Sequence, residues 1–156
     1  MSKKFYYICV LFWVIPSGFA QLKTHTFEEA ESLAKQNPKP YFVFIHTSWC
    51  KYCKMMEKTT FQNPEIIALL NESFYYIPFD AESKTDISFY HQVYHFKPTG
   101  NNTGHHELAY ELGNMEKQLS FPAVCLLDTD YRILFQHNQF LKAKELKTIL
   151  EKSLKK

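Results

Sequence analysis

Ser48-Trp49-Cys50-Lys51-Tyr52-Cys53-Lys54 lies between an apolar run, Tyr41-Phe42-Val43-Phe44-Ile45, and a helix-favouring segment, Lys54-Met55-Met56-Glu57-Lys58. Its two thiols therefore fall where a strand hands over to a helix. At a helix N-terminus the unpaired N–H groups and the macrodipole favour negative charge, so a cysteine there ionises more readily than the ~8.5 of a free thiol. That assigns the nucleophile to Cys50. With two residues between them, Cys53 lies about one helical turn on, close enough to attack a mixed disulfide on Cys50 and release its partner.

A bare C-x-x-C is also half of many zinc sites, which pair it with a second Cys or His couple at recognisable spacing. No second C-x-x-C occurs in this sequence. His91, His95, His105 and His106 lie elsewhere in the chain, without thiolate-like partners at fixed spacing, and no metal ligand is assigned.

The chain of 156 residues is long enough for one domain with a sizeable core, and 46% apolar and 17% aromatic residues place it among folded proteins. A formal charge of +2 with no basic block beyond the terminal lysines argues against nucleic acid as a partner. Residues 1–20 read as a secretory signal: Lys3 and Lys4 are the charged start, Phe5 to Ile15 the apolar centre, and Gly18-Phe19-Ala20 a small-x-small cleavage site. The apolar run is short against the ~20 residues of a membrane span, so the expectation is a cleaved leader, an exported product and a mature chain from Gln21. Cys9 leaves with the leader. Cys50, Cys53 and Cys125 remain, one reactive pair and one core thiol rather than a disulfide scaffold. Asn71-Glu72-Ser73 and Asn101-Asn102-Thr103 match the glycosylation pattern, which is short enough to recur by chance.

Thr26 with Glu29 three residues later is a capping box, and it predicts a helix to about Gln36 with Phe27, Ala30, Leu33 and Ala34 inward. Pro38 and Pro40 stop it before the strand Tyr41 to Ile45, whose unbroken apolar character suits burial on both faces. The helix after the thiols should break near Thr59-Thr60 and restart at Asn63-Pro64, with Phe74 to Phe79 the next strand. Residues 82–104 fit no βαβ rhythm and read as an insertion, with a hairpin from Ile87 to Phe96 and an exit loop from Pro98 to Asn102. A helix from about His105 to Gln118 follows, with Leu108, Leu112, Met115 and Leu119 as its buried stripe. Strands Ala123 to Leu127 and Tyr131 to Gln136, then a helix from Lys142 to Leu154, complete the chain. The expected class is α/β, a mixed central sheet with helices on both faces and an insertion in the middle.

That order resembles the thioredoxin fold across nearly all of residues 24–154. The specific matches are Trp49-Cys50-Lys51-Tyr52-Cys53-Lys54 and the Phe121-Pro122 pair opening a later strand. Met56-Glu57, Thr60-Phe61 and Asn63-Pro64 extend the likeness to exported thioredoxin-like proteins and to the C-terminal thioredoxin domain of transmembrane thiol:disulfide interchange proteins. The resemblance implies a cis proline facing the thiols. It also implies thiol:disulfide exchange with cysteine-containing protein substrates, no dissociable cofactor, an upstream exchange partner that could be membrane-bound, and a Gram-negative periplasm or another extracytoplasmic address. One position departs from the family: where thioredoxins carry a buried Asp six residues before the first Cys, this chain has Phe44. Glu57, four residues after Cys53 and on the same helix face, is the substitute proton acceptor. The candidate site is then Cys50, Cys53 and Glu57 for the chemistry, with Trp49, Lys51, Tyr52, Phe121 and Pro122 for substrate. Two other functions use the same thiols: a copper or zinc carrier, and a redox-inert interaction domain with a permanent disulfide.

Overall fold

The computed structural model describes residues 21–155. The leader expected at residues 1–20 lies outside them. In chain order the elements are α1 (Phe27–Ala34), β1 (Tyr41–His46), α2 (Lys51–Lys58), a 3-10 turn (Thr60–Gln62), α3 (Pro64–Ser73) and β2 (Tyr75–Asp80). Four short strands follow, β3 (Ile87–Phe89), β4 (Gln92–Tyr94), β5 (Phe96–Pro98) and β6 (Gly104–His106). The chain closes with α4 (Glu107–Gly113), β7 (Asn114–Met115), β8 (Gln118–Leu119), β9 (Ala123–Leu127), β10 (Ile133–His137) and α5 (Ala143–Ser153).

The main sheet runs β10-β9-β1-β2, with β1 parallel to β2 and antiparallel to β9. β1 is central because it is apolar on both sides. Tyr41, Val43 and Ile45 pack with α1 and α4, while Phe42 and Phe44 pack on the other face with α2, α3 and α5. Burying a side chain such as Phe44 contributes about 1.5–3 kcal/mol, so the alternation fixes which helices lie on which face. At the sheet edge β2 carries an exposed Pro78, which has no N–H to offer a further strand. Beside that edge, residues 21–25 are held by His25 N–H on the Tyr76 carbonyl (2.9 Å) and by Asn71, whose Oδ1 accepts from Lys23 N–H and whose Nδ2 donates to the Gln21 carbonyl.

Helix signals in the sequence match the caps in the structure. Thr26 and Glu29 form the reciprocal capping box of α1, although Leu33 of the expected inward stripe is exposed. α2 ends at Thr59, whose hydroxyl donates back to the Met55 carbonyl, and Asn63 caps α3 with Pro64 in its first turn.

Two elements depart from expectation. The insertion holds two hairpins: β3-β4 as expected, and β5-β6 where an exit loop was expected. The helix expected to reach Gln118 ends at Gly113, and Met115 and Leu119 belong to the small β7-β8 hairpin. Packing explains the early end. A Cβ on Gly113 would lie 2.9 Å from the Ile45 side chain, so this turn approaches β1 more closely than another residue allows. The Leu112 carbonyl is taken by Gln136 Nε2 at 2.8 Å. Glu116 and Lys117 then turn the chain at positive φ.

Candidate active site

Cys50 is the N-cap of α2, and its sulfur accepts a hydrogen bond from Cys53 N–H at 3.1 Å. An N–H directed at the sulfur, at the positive end of a helix, stabilises a thiolate there. The two cysteines form a disulfide, with Cα atoms 5.2 Å apart. Cys53 faces the core with Met56, Phe61 and Phe44. Cys50 is 4% exposed and Cys53 1%, with Trp49 (62%) and Tyr52 (61%) standing out into solvent beside them. Lys51, the first residue of α2, is exposed as well.

The Phe121–Pro122 peptide bond is cis. Phe121 is half-buried, its ring 6.0 Å from Trp49 in an edge-to-face arrangement, and Pro122 is buried at the mouth of β9. Together with Tyr52, Asn138, Gln139 and Phe140 they line an open cleft of ≈ 360 Å³. The structure therefore brings Cys50, Cys53, Trp49, Phe121 and Pro122 to one end of the sheet, with Tyr52 sharing the cleft beside the proline.

Glu57 lies elsewhere on the helix surface. Its side chain is exposed rather than partly buried, and it lines a different cleft with Leu22, Phe61, Gln62 and Tyr76. Burial raises the Tyr76 phenol far above its ordinary range, and the nearby Glu57 charge adds to the rise. Phe44 is fully buried, 4.8 Å from Phe61, so no carboxylate occupies that place on β1. Two residues on, His46 stacks on Phe44 at 5.5 Å and places an imidazole on the same face of the strand.

Three residues around this site were not assigned to it from the sequence. Glu82 accepts from Trp49 Nε1 at 3.0 Å. His105 lies 5.5 Å from the Phe121 ring. His106, fully buried, binds Thr85 and Leu108 through its two ring nitrogens. All three come from the insertion or its exit, and only the tertiary fold brings Glu82 to Trp49 and His105 to Phe121. Cys125 is the core thiol expected: it is buried in β9, and burial pushes its pKa up to about 12.

Among the described residues no helix is long and apolar enough to cross a membrane. Sixty residues are 43% identical to mouse spermatogenesis-associated protein 20, a stretch that is 38% of this chain and 8% of that protein's length. In fold, the chain is similar to the structure "DsbH Oxidoreductase" (TM-score 0.62, 21% identity, 93% of this chain and 92% of that one). It is also similar to the C-terminal domain of DsbD from Neisseria meningitidis (TM-score 0.51, 18% identity, 79% and 89%). Residues 27–154 match the family described as Thioredoxin-like domain, and with the helix-capping Cys50-Lys51-Tyr52-Cys53 pair this chain belongs to that family.

Proposed function

We propose that this protein is an exported thiol:disulfide oxidoreductase acting on the cysteines of other proteins. The observation that supports this most is the Cys50–Cys53 pair itself, closed across the first turn of α2 with the Cys53 N–H directed at the Cys50 sulfur. In the reduced protein the Cys50 thiolate attacks one sulfur of a client disulfide. A Cys50–client S–S bond forms, the client's own bond breaks, and the departing sulfur keeps the electron pair and takes a proton. Cys53 then loses its proton and attacks the Cys50 sulfur. The Cys50–Cys53 bond closes, the second client sulfur leaves as a thiolate, and two electrons have passed to the client. Run backwards, the same steps oxidise a client dithiol.

The exposed Trp49 and Tyr52, with Phe121 and Pro122, hold an extended client segment, and the Lys51 charge favours the Cys50 thiolate. Glu57 receives the Cys53 proton through solvent. The exchange needs no dissociable cofactor, and an upstream exchange partner, which could be membrane-bound, recharges the pair. Export to a Gram-negative periplasm or a comparable oxidising space follows from the reading of residues 1–20 as a leader.

Trapping tests the mechanism. Cys53→Ser should accumulate mixed disulfides between Cys50 and client proteins, resolved on a non-reducing gel and lost on reduction, because the resolving thiol is gone. Cys50→Ser should accumulate none. No adducts from Cys53→Ser, with stoichiometric copper or zinc bound by the reduced wild type, would replace exchange by metal carriage.

A further inference from the structure

The second inserted hairpin is joined to the end of β1 by a continuous backbone path. Ala81 N–H donates to the His46 carbonyl at the end of β1 (2.8 Å), and the Ala81 carbonyl accepts from His106 N–H (2.7 Å). β6 is thereby fastened beside the end of the sheet from which α2 begins. Gly104 makes the fit possible: a Cβ there would lie 2.3 Å from the Lys97 carbonyl oxygen across the hairpin. The next residue, His105, lays its ring 5.5 Å from Phe121, backed by Tyr110 edge-on at 5.9 Å. At the start of the insertion, Glu82 takes the indole N–H of Trp49. The row Glu82, Trp49, Phe121, His105, Tyr110 is therefore continuous, and its two aromatic faces beside Cys50 are each held by a residue of segment 82–106.

We infer that Glu82 and His105 are positioning residues that fix Trp49 and Phe121 as a ledge for a large apolar side chain next to the client cysteine. The inference rests on the exchange reading and names the client chemistry: an extended polypeptide with an aromatic or long aliphatic residue adjoining its cysteine. Two observations lead there. Trp49 is 62% exposed, yet its one polar atom is bound by Glu82 and its ring edge meets Phe121. An indole held in this way loses little freedom on contact, which is how aromatic anchors contribute affinity. Phe121 immediately precedes the proline beside which an extended client segment would run, so a side chain flanking the client cysteine meets these rings first.

The experiment compares two disulfides on wild type, Glu82→Ala, Glu82→Gln, His105→Ala and His105→Phe. One is a short extended peptide with Trp beside its disulfide-bonded cysteine; the other is glutathione disulfide, which lacks a large apolar neighbour. For the peptide, Glu82→Ala and His105→Ala should each lower kcat/KM by about five- to tenfold, mainly through KM. Glutathione disulfide should react at unchanged rates. Glu82→Gln keeps an acceptor for the indole and His105→Phe keeps a ring against Phe121, so both should restore peptide turnover to within about twofold of wild type. Equal losses on both disulfides, or no loss on either, would overturn the inference while leaving exchange intact. A wild type inert towards both disulfides would instead sink the exchange reading, and the inference with it.

Discussion

Phe44 puts a phenyl ring where the resembling family has a carboxylate, so the Cys53 proton needs another exit. Cys53 is 1% exposed and surrounded by Met56, Phe61 and Phe44, an environment that disfavours a thiolate. Glu57 is exposed and lines a different cleft, so on the proposed reading it acts through solvent, as a weaker base than one in direct contact. Glu57→Gln should slow closure of a Cys50 mixed disulfide about tenfold near neutral pH, less than the roughly hundredfold of a positioned general base, and leave the first attack intact. The deficit should shrink as pH rises and hydroxide takes over. Stopped-flow measurement of the two steps checks this. Equal closure rates in mutant and wild type would transfer the role to water or to His46, the imidazole on the same face of β1.

At the scale of elements, the insertion is held by a buried histidine. His106 caps α4 by accepting from Leu108 N–H at Nδ1 (3.3 Å), and its Nε2 lies 3.1 Å from the Thr85 carbonyl, a pair that requires the neutral ring with its proton on Nε2. Burial lowers its pKa from 6.5, against the opposing Thr85 hydrogen bond and the Glu107 and Asp86 charges, with His95 reinforcing the fall. Since the unfolded chain binds this proton at higher pH than the folded one, the contribution is complete above about 6.5 and is lost as pH falls from there through the lower pKa of the folded state. Between pH 7.5 and 5 the wild type should lose stability to denaturant. His106→Asn, less stable at neutral pH, should show a shallower loss, because His25, also lowered by burial, keeps its share. Parallel pH profiles would remove His106 from the account. Local signals predicted β1, the caps of α1 and α3 and the place of the two thiols at the start of α2 because each depends on residues close in sequence. The end of α4 depends on Ile45 and Gln136, and the second hairpin on Gly104 meeting the Lys97 carbonyl, contacts that no periodicity encodes. For the same reason Glu82 and His105 could not be assigned to the site before the fold placed them there.

Across the whole molecule, a central apolar strand with helices on both faces delivers a helix N-terminus, two thiols and a cis proline to one end of the sheet. On the proposed reading the helix end that holds the disulfide also stabilises the Cys50 thiolate formed when it opens, as an exchanging pair requires and a permanent tie does not. Equilibrating the protein with defined ratios of reduced and oxidised glutathione or dithiothreitol, and counting free thiols at Cys50 and Cys53, gives the reduction potential of the pair. A catalytic oxidoreductase predicts a value between about −270 and −120 mV, open to exchange with cellular thiols. A value below about −300 mV would make this a permanent structural disulfide and contradict the account.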